Sequence, residues 1–256
     1  MRPGPWLHWP RELREGFAHM LEKLHLLGFA EGGWGPALIG AAALTLLLSV
    51  LGFMLGACFG SLAAAGRLSS ARIPRVIASA YATVFRGVPD LLTIYLFYYG
   101  GSVALTTVAH FFGANSFVGL PALATGVVAI GMISGAYQAE VYRGAYLAVE
   151  RGQFDAAKAL DLSRSQMLLL VIVPQLLRHA IPGLSNVWQL VLKDSALISV
   201  VGLVELMRQS QIGAGSTREP FLFYLAAACL YFVMAGVTGR FFRSAEVRTS
   251  RGILHS

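Results

Sequence analysis

The chain has 256 residues, 56% hydrophobic and only 13% charged, with a formal net charge of +7 and a mean hydropathy of +0.63. Soluble globular chains carry about 25% charged residues. There is too little charge here to cover a water-facing domain, so an all-α integral membrane protein is expected. The cations lie in short loops between apolar runs, a membrane-topology pattern that argues against nucleic acid as their partner. Cys58 and Cys229, the two cysteines, both lie inside apolar runs, so disulfide, thiolate-metal and redox chemistry have little support.

At the N-terminus, "MRPGPWLHWPRELREG" has neither an apolar core nor a small-residue cleavage site, unlike a standard signal peptide. "GFAHMLEKLHLLGFA" follows and puts Phe17, Met20, Leu21, Leu24 and Leu27 near one helical face. An amphipathic segment on the membrane surface is expected within an extension over residues 1–34. A bilayer core about 30 Å thick needs roughly 20 apolar residues per helix. On that basis a permeating domain over 35–245 is expected to hold five spans, at about 36–65, 76–99, 120–142, 184–206 and 221–241. Gly52, Gly56 and Gly60 make a small-residue stripe on the first span, and Gly131 and Gly135 make another on the third, both suited to close helix packing. "SQMLLLVIVPQLL" is apolar but short and interrupted by Pro174, so it is expected at the interface. The tail over 246–256 is basic.

Five spans put the termini on opposite sides. With the C-terminus inside, twelve cations fall in cytoplasmic segments and six outside, which favours N-out, C-in. About forty residues separate the third and fourth spans, more than a simple connection needs. Within them, "GQFDAAKALDLSRSQMLLLVIVP" reads as two short helices bent at a polar hinge, with Ser163 capping the second. A docking knob for a cytoplasmic partner is the natural reading of that stretch, a loop over 150–174.

This loop resembles the EAA loop of binding-protein-dependent ABC importer permeases. Asp155-Ala156-Ala157 stands at the Glu-Ala-Ala, Asp161 at the glycine, and Val171-Ile172-Val173-Pro174 at the Ile-x-Leu-Pro. "GAYQAEVYRGAYLAVERGQ" resembles the polar amino acid subfamily. "RGVPDLL", "LSNVWQLVLKDSALISVVGLVEL" and "GSTREPFLFY" resemble its Q-type members, the permeases for histidine, lysine-arginine-ornithine and opines. The resemblance begins near Gly35. It implies the type I ABC importer transmembrane fold, with Asp155, Ala156, Ala157, Leu160, Asp161, Ser163 and Pro174 in the coupling loop. It also implies cytoplasmic ATPase subunits, a second permease (a different chain in preference to a second copy), a periplasmic amino-acid-binding protein and the bacterial inner membrane. Asp155 keeps the family's charge on a shorter arm. Asp161 replaces a glycine, which permits positive φ and close packing; aspartate is among the residues that enter the left-handed region, but it adds a charge near the ATPase contact, so either coupling is altered or the partner's groove compensates.

No Walker A lysine is present: Lys23, Lys158 and Lys193 are the only lysines, and none follows a glycine. This chain is therefore expected to bind no cofactor, with ATP and Mg used by a partner subunit. Ionisable groups at membrane depth cost about 2.5–3.5 kcal/mol each on insertion scales, and such groups usually face a cavity or a partner. The candidates for a substrate path are Arg86, Asp90, Glu140, Lys193 and Asp194. Arg86 and Asp90 would share a face if the helix continued through Pro89, so a self-paired kink and a path lining both stand. Glu140 is either an interfacial ion pair with Arg143 or a carboxylate that meets a cationic substrate. Trp188 and Gln189 read as packing residues. The expected function is import of polar, in the first place basic, amino acids or opines. The alternative, an ATP-independent secondary transporter or channel, leaves the docking loop without a role.

Overall fold

The computed structural model describes residues 10, 23–113, 116, 117 and 119–250. Most of the amphipathic segment expected near residue 20 lies outside them, as does the end of the basic tail. Every regular element is a helix among the described residues. Among the described residues, five helices are long and apolar enough to cross a membrane.

A short 3₁₀ turn at Lys23–Leu27 precedes α1, Gly35–Leu68, which carries Pro36 in its first turn, where the missing amide costs no helical bond. Its 34 residues span about 51 Å, longer than a bilayer core, so α1 either tilts or projects. It packs along α4, Ala122–Leu147, through the expected glycine stripes. A Cβ placed on Gly56 would fall 2.0 Å from Ser134 Oγ, and one on Gly135 would fall 2.9 Å from the Phe59 Cβ. Neither position has room for a side chain, which lets the backbones approach. Polar rungs close the seam: Ser134 donates to the Gly52 carbonyl at 3.3 Å, and the Gln138 amide donates to that of Phe53 at 3.0 Å. Tyr142 in turn donates to the Gln138 carbonyl oxygen at 2.8 Å. The middle of α4 is the most enclosed part of the molecule, with Ala129, Ile130, Ile133, Ala136 and Ala139 all buried.

The span expected over 76–99 is two helices. α2, Arg72–Gly87, stops before Val88, and α3 runs over Asp90–Phe111 with one π-helical stretch at Leu96–Gly100. Val88 is extended at φ −89°, ψ 137°, as a residue preceding proline is driven to be. Pro89 is extended too, and Asp90 then opens the first turn of α3, where its negative charge faces the positive end of the helix dipole. α2 buries Ala78 and Ala82, and Ile73, Val76, Ile77 and Val84 face outwards. The stretch of membrane length is therefore Asp90–Phe111.

Pro174 behaves differently. The interfacial segment and the span expected from 184 form one helix, α6, Arg164–Val201. It follows α5, Arg151–Ala159. Just before the proline, Met167–Ile172 is π-helical. The wider turn accommodates the ring and the absent amide without ending the helix. The interruption expected at Pro174 is thus overturned. The end of α6 tightens to a 3₁₀ stretch, Ser195–Val201, and stops at Gly202, whose φ of +91° favours a residue without a Cβ. α7, Leu206–Thr217, and α8, Pro220–Ser250, complete the chain.

Candidate functional site

The loop between α4 and α6 is built as a protruding knob. α5 buries Ala157 and leaves Asp155, Ala156 and Leu160 exposed. Asp155 pairs along its own helix with Lys158 at 3.2 Å. Tyr146 and Phe154 meet edge to face at 5.6 Å, and Gln175 donates to Gln153 at 3.0 Å; these contacts fasten α5 to its two neighbours. Asp161 adopts φ +53°, the left-handed conformation expected at a glycine position. That turn lets the Leu162 amide donate back to the Ala157 carbonyl at 3.1 Å. Ser163 then starts α6 in a full capping box: its hydroxyl accepts from the Gln166 amide at 3.3 Å, and its own amide donates to the Gln166 side chain at 3.0 Å. Pro174 lies within α6, exposed, beyond the π-helical stretch.

The membrane-depth charges divide into two groups. Glu140 is held by three arginines from three helices. Arg67 of α1 donates to Oε1, Arg86 of α2 reaches the same oxygen at 2.9 Å, and Arg143 one turn along α4 donates to Oε2 at 3.1 and 3.2 Å. Of the two readings open for Arg86 and Asp90, the self-paired kink does not form, because the break at Val88 and Pro89 turns them off a common helical face. The Arg86 guanidinium also lies 5.7 Å from the centre of the Tyr137 ring. Arg67, expected only as a loop cation, is the missed member of this group. As the first charge after the long uncharged run that follows Glu31, it already stood next to the membrane boundary.

Asp90 and Asp194 form the second group. They lie within electrostatic reach of each other and of Tyr137. Neither carboxylate has an ion-pair partner among the described residues. Lys193 diverges from its neighbour, as adjacent helical residues must, and lines a cavity of about 450 Å³ with Gln189, Tyr231 and Phe232. Trp188 packs edge to face on Phe53 at 5.5 Å and lies against Phe242.

Glu205 is a further residue that sequence reasoning missed. It is 0% exposed and caps α7, accepting from the amides of Met207 at 3.0 Å and Arg208 at 2.9 Å. Tyr231 of α8 donates to it at 3.0 Å, and Thr45 of α1 lies 3.3 Å away. A lone acid at the end of an apolar run was the available signal.

The family model for the inner membrane component of binding-protein-dependent transport systems matches residues 56–250. The octopine transport system permease protein OccQ of Rhizobium radiobacter is 50% identical over 228 residues, covering 89% of this chain and 96% of that protein. The histidine/lysine/arginine/ornithine transport system permease protein HisQ of Escherichia coli is 34% identical, covering 86% and 96%. A crystal structure of an amino acid ABC transporter with histidines superposes with a TM-score of 0.71 at 32% identity, covering 84% of this chain and 95% of that one. With five membrane-length helices among the described residues and a protruding loop between the third and fourth, this chain belongs to the inner membrane components of binding-protein-dependent transport systems and has the type I importer fold.

Proposed function

We propose that this permease subunit carries basic amino acids or opines, and that Asp90 and Asp194 receive the cationic end of the substrate. One observation carries the reading: two carboxylates lie within electrostatic reach of each other at membrane depth, and neither forms an ion pair among the described residues, with Lys193 acting on Asp194 only at longer range. Like charges so placed are costly until a cation arrives. A guanidinium, with five donors in a planar fork, suits a pair of carboxylates. Relatives named for octopine and for histidine, lysine, arginine and ornithine support the same class. Glu140 is occupied by arginines and serves the path by holding Arg86 beside it. Uptake of labelled arginine by Asp90→Asn and Asp194→Asn variants tests this. Each is expected to fall about thirtyfold, corresponding to about 2 kcal/mol at a buried charge contact. Unchanged uptake and selectivity in both would overturn it.

The chain is a transport subunit and not an enzyme; ATP hydrolysis belongs to a separate subunit. It works with ATPase and binding-protein partners in a membrane assembly. In our reading the ATPase, using ATP and Mg, docks on α5 through Asp155, Ala156 and Leu160. A second permease, a different chain, supplies the other half of the path. The periplasmic binding protein delivers substrate at the opposite end, and the chain sits N-out, C-in in a bacterial inner membrane. The exposure of α5 and the distribution of cations support this arrangement. Asp155→Lys or Ala156→Trp is expected to abolish binding-protein-stimulated ATP hydrolysis while membrane abundance stays normal. Normal stimulation in both would remove the coupling role.

A further inference from the structure

A cavity of about 550 Å³ opens between α6 and α8, at the end of the last span. Its α8 wall carries Arg240, Arg243 and Glu246, at helical spacing on one face, and its α6 wall carries Ser185 and Asn186. None of these five side chains has a hydrogen-bond or ion-pair partner among the described residues. Gly236 forms part of the wall, and a Cβ built there meets nothing within 4 Å. The cavity therefore presents two guanidiniums, one carboxylate and two neutral polar groups with nothing to bind.

Its depth identifies the ligand class. From Pro220 to Gly239, α8 runs twenty residues without an ionisable side chain other than Tyr224, Cys229 and Tyr231. That is about 30 Å of helix, the thickness of a bilayer core. Arg240 and Arg243 consequently stand at headgroup level. The outward neighbours Val237 and Phe241 are exposed and apolar, as a surface along acyl chains would be. Two arginines suit a phosphodiester, because guanidinium donors match phosphate oxygens. Glu246 lies three residues beyond Arg243, a rise of about 4.5 Å. The two-carbon bridge between phosphate and ammonium in a phosphoethanolamine group has a comparable length.

We propose that this cleft is a binding site for a phosphoethanolamine headgroup, held as part of a membrane phospholipid. The phosphate lies on Arg240 and Arg243, with Ser185 and Asn186 beside it, and the primary ammonium donates to Glu246. A trimethylammonium headgroup has no N–H to donate and binds less well. The bound lipid wedges α6 and α8 apart at the membrane boundary.

Native mass spectrometry of the purified transporter complex, with lipids of matched acyl chains, tests the proposal. The wild type is expected to retain phosphatidylethanolamine over phosphatidylcholine. Arg240→Ala with Arg243→Ala is expected to weaken retention roughly thirtyfold, at about fivefold per surface cation. Gly236→Leu adds bulk at the open wall, where a Cβ meets nothing within 4 Å, and is expected to abolish retention with all charges kept. Glu246→Gln is expected to bring the two lipids to equal retention. Arg248→Ala, outside the cavity on the same helix, is expected to change nothing. Equal retention of the two lipids by the wild type, or unchanged retention in the Gly236→Leu protein, would overturn the site. Displacement by soluble glycerophosphoethanolamine at equal concentration would overturn the lipid source.

Discussion

Glu140 and Glu205 are both single carboxylates that tie several helices together, but they do so by different physics. Glu140 gathers three guanidiniums and keeps 26% of its side chain exposed. Glu205 is fully buried and takes its bonds from two amides, a phenol and a neighbouring threonine. The first is a charge network with partial access to water, so its strength depends on screening. The second is a satisfied polar group in an apolar setting, where every donor must keep its acceptor. An importer has to change shape at one end of its path and hold it elsewhere. The solvated network around Glu140 connects α1, α2 and α4 next to the helix break at Pro89 and can exchange partners. The Glu205 cluster fixes α7 between α1 and α8 and cannot.

The comparison breaks most readily at Glu205. Glu205→Leu orphans two amides and the Tyr231 hydroxyl, at about 1–3 kcal/mol each. A loss of at least about 3 kcal/mol is expected, seen as reduced membrane abundance and a lowered unfolding temperature at any salt concentration. Glu140→Gln is expected to cost about 1–2 kcal/mol at low ionic strength, because three arginines lose one counter-charge while water screens them. The same measurement at high salt should show that loss shrinking. A salt-insensitive loss at Glu140 would erase the distinction between the two carboxylates. Thr45→Val sharpens the buried case. It removes the acceptor for the Leu206 amide, at 3.0 Å, and is expected to cost about 1 kcal/mol in thermal unfolding. Asp161→Gly has the smallest expected effect, a gain below about 1 kcal/mol from relieving a left-handed residue. Hydrogen exchange at Leu162 and Ser163 would read it.

Two prolines show how far local chemistry carries. Pro89 and Pro174 each follow a valine. At Pro89 the chain breaks cleanly, with Val88 extended and a new helix opened by Asp90. At Pro174 the helix continues, because a π-helical stretch just upstream takes up the strain. Both outcomes are stereochemically open to the sequence. Packing selects between them: α2 lies with Ala78 and Ala82 against its neighbours, whereas Ile172 is buried as α6 passes through.

Run length and polarity by themselves pointed to five helices of membrane-crossing length, the number found among the described residues, since each apolar segment must match a bilayer and each loop need not. The small-residue stripes and the Ser163 cap were equally readable, because each depends on residues a few positions apart. Only the tertiary structure decided which charges meet. Glu140 takes Arg67 and Arg86 from 73 and 54 positions away, and Glu205 takes Thr45 from 160. No local rule selects those partners. They follow from the close approach of α1 to α4, and of α7 to α1 and α8, which brings distant donors to a carboxylate that cannot be left unpaired in an apolar medium.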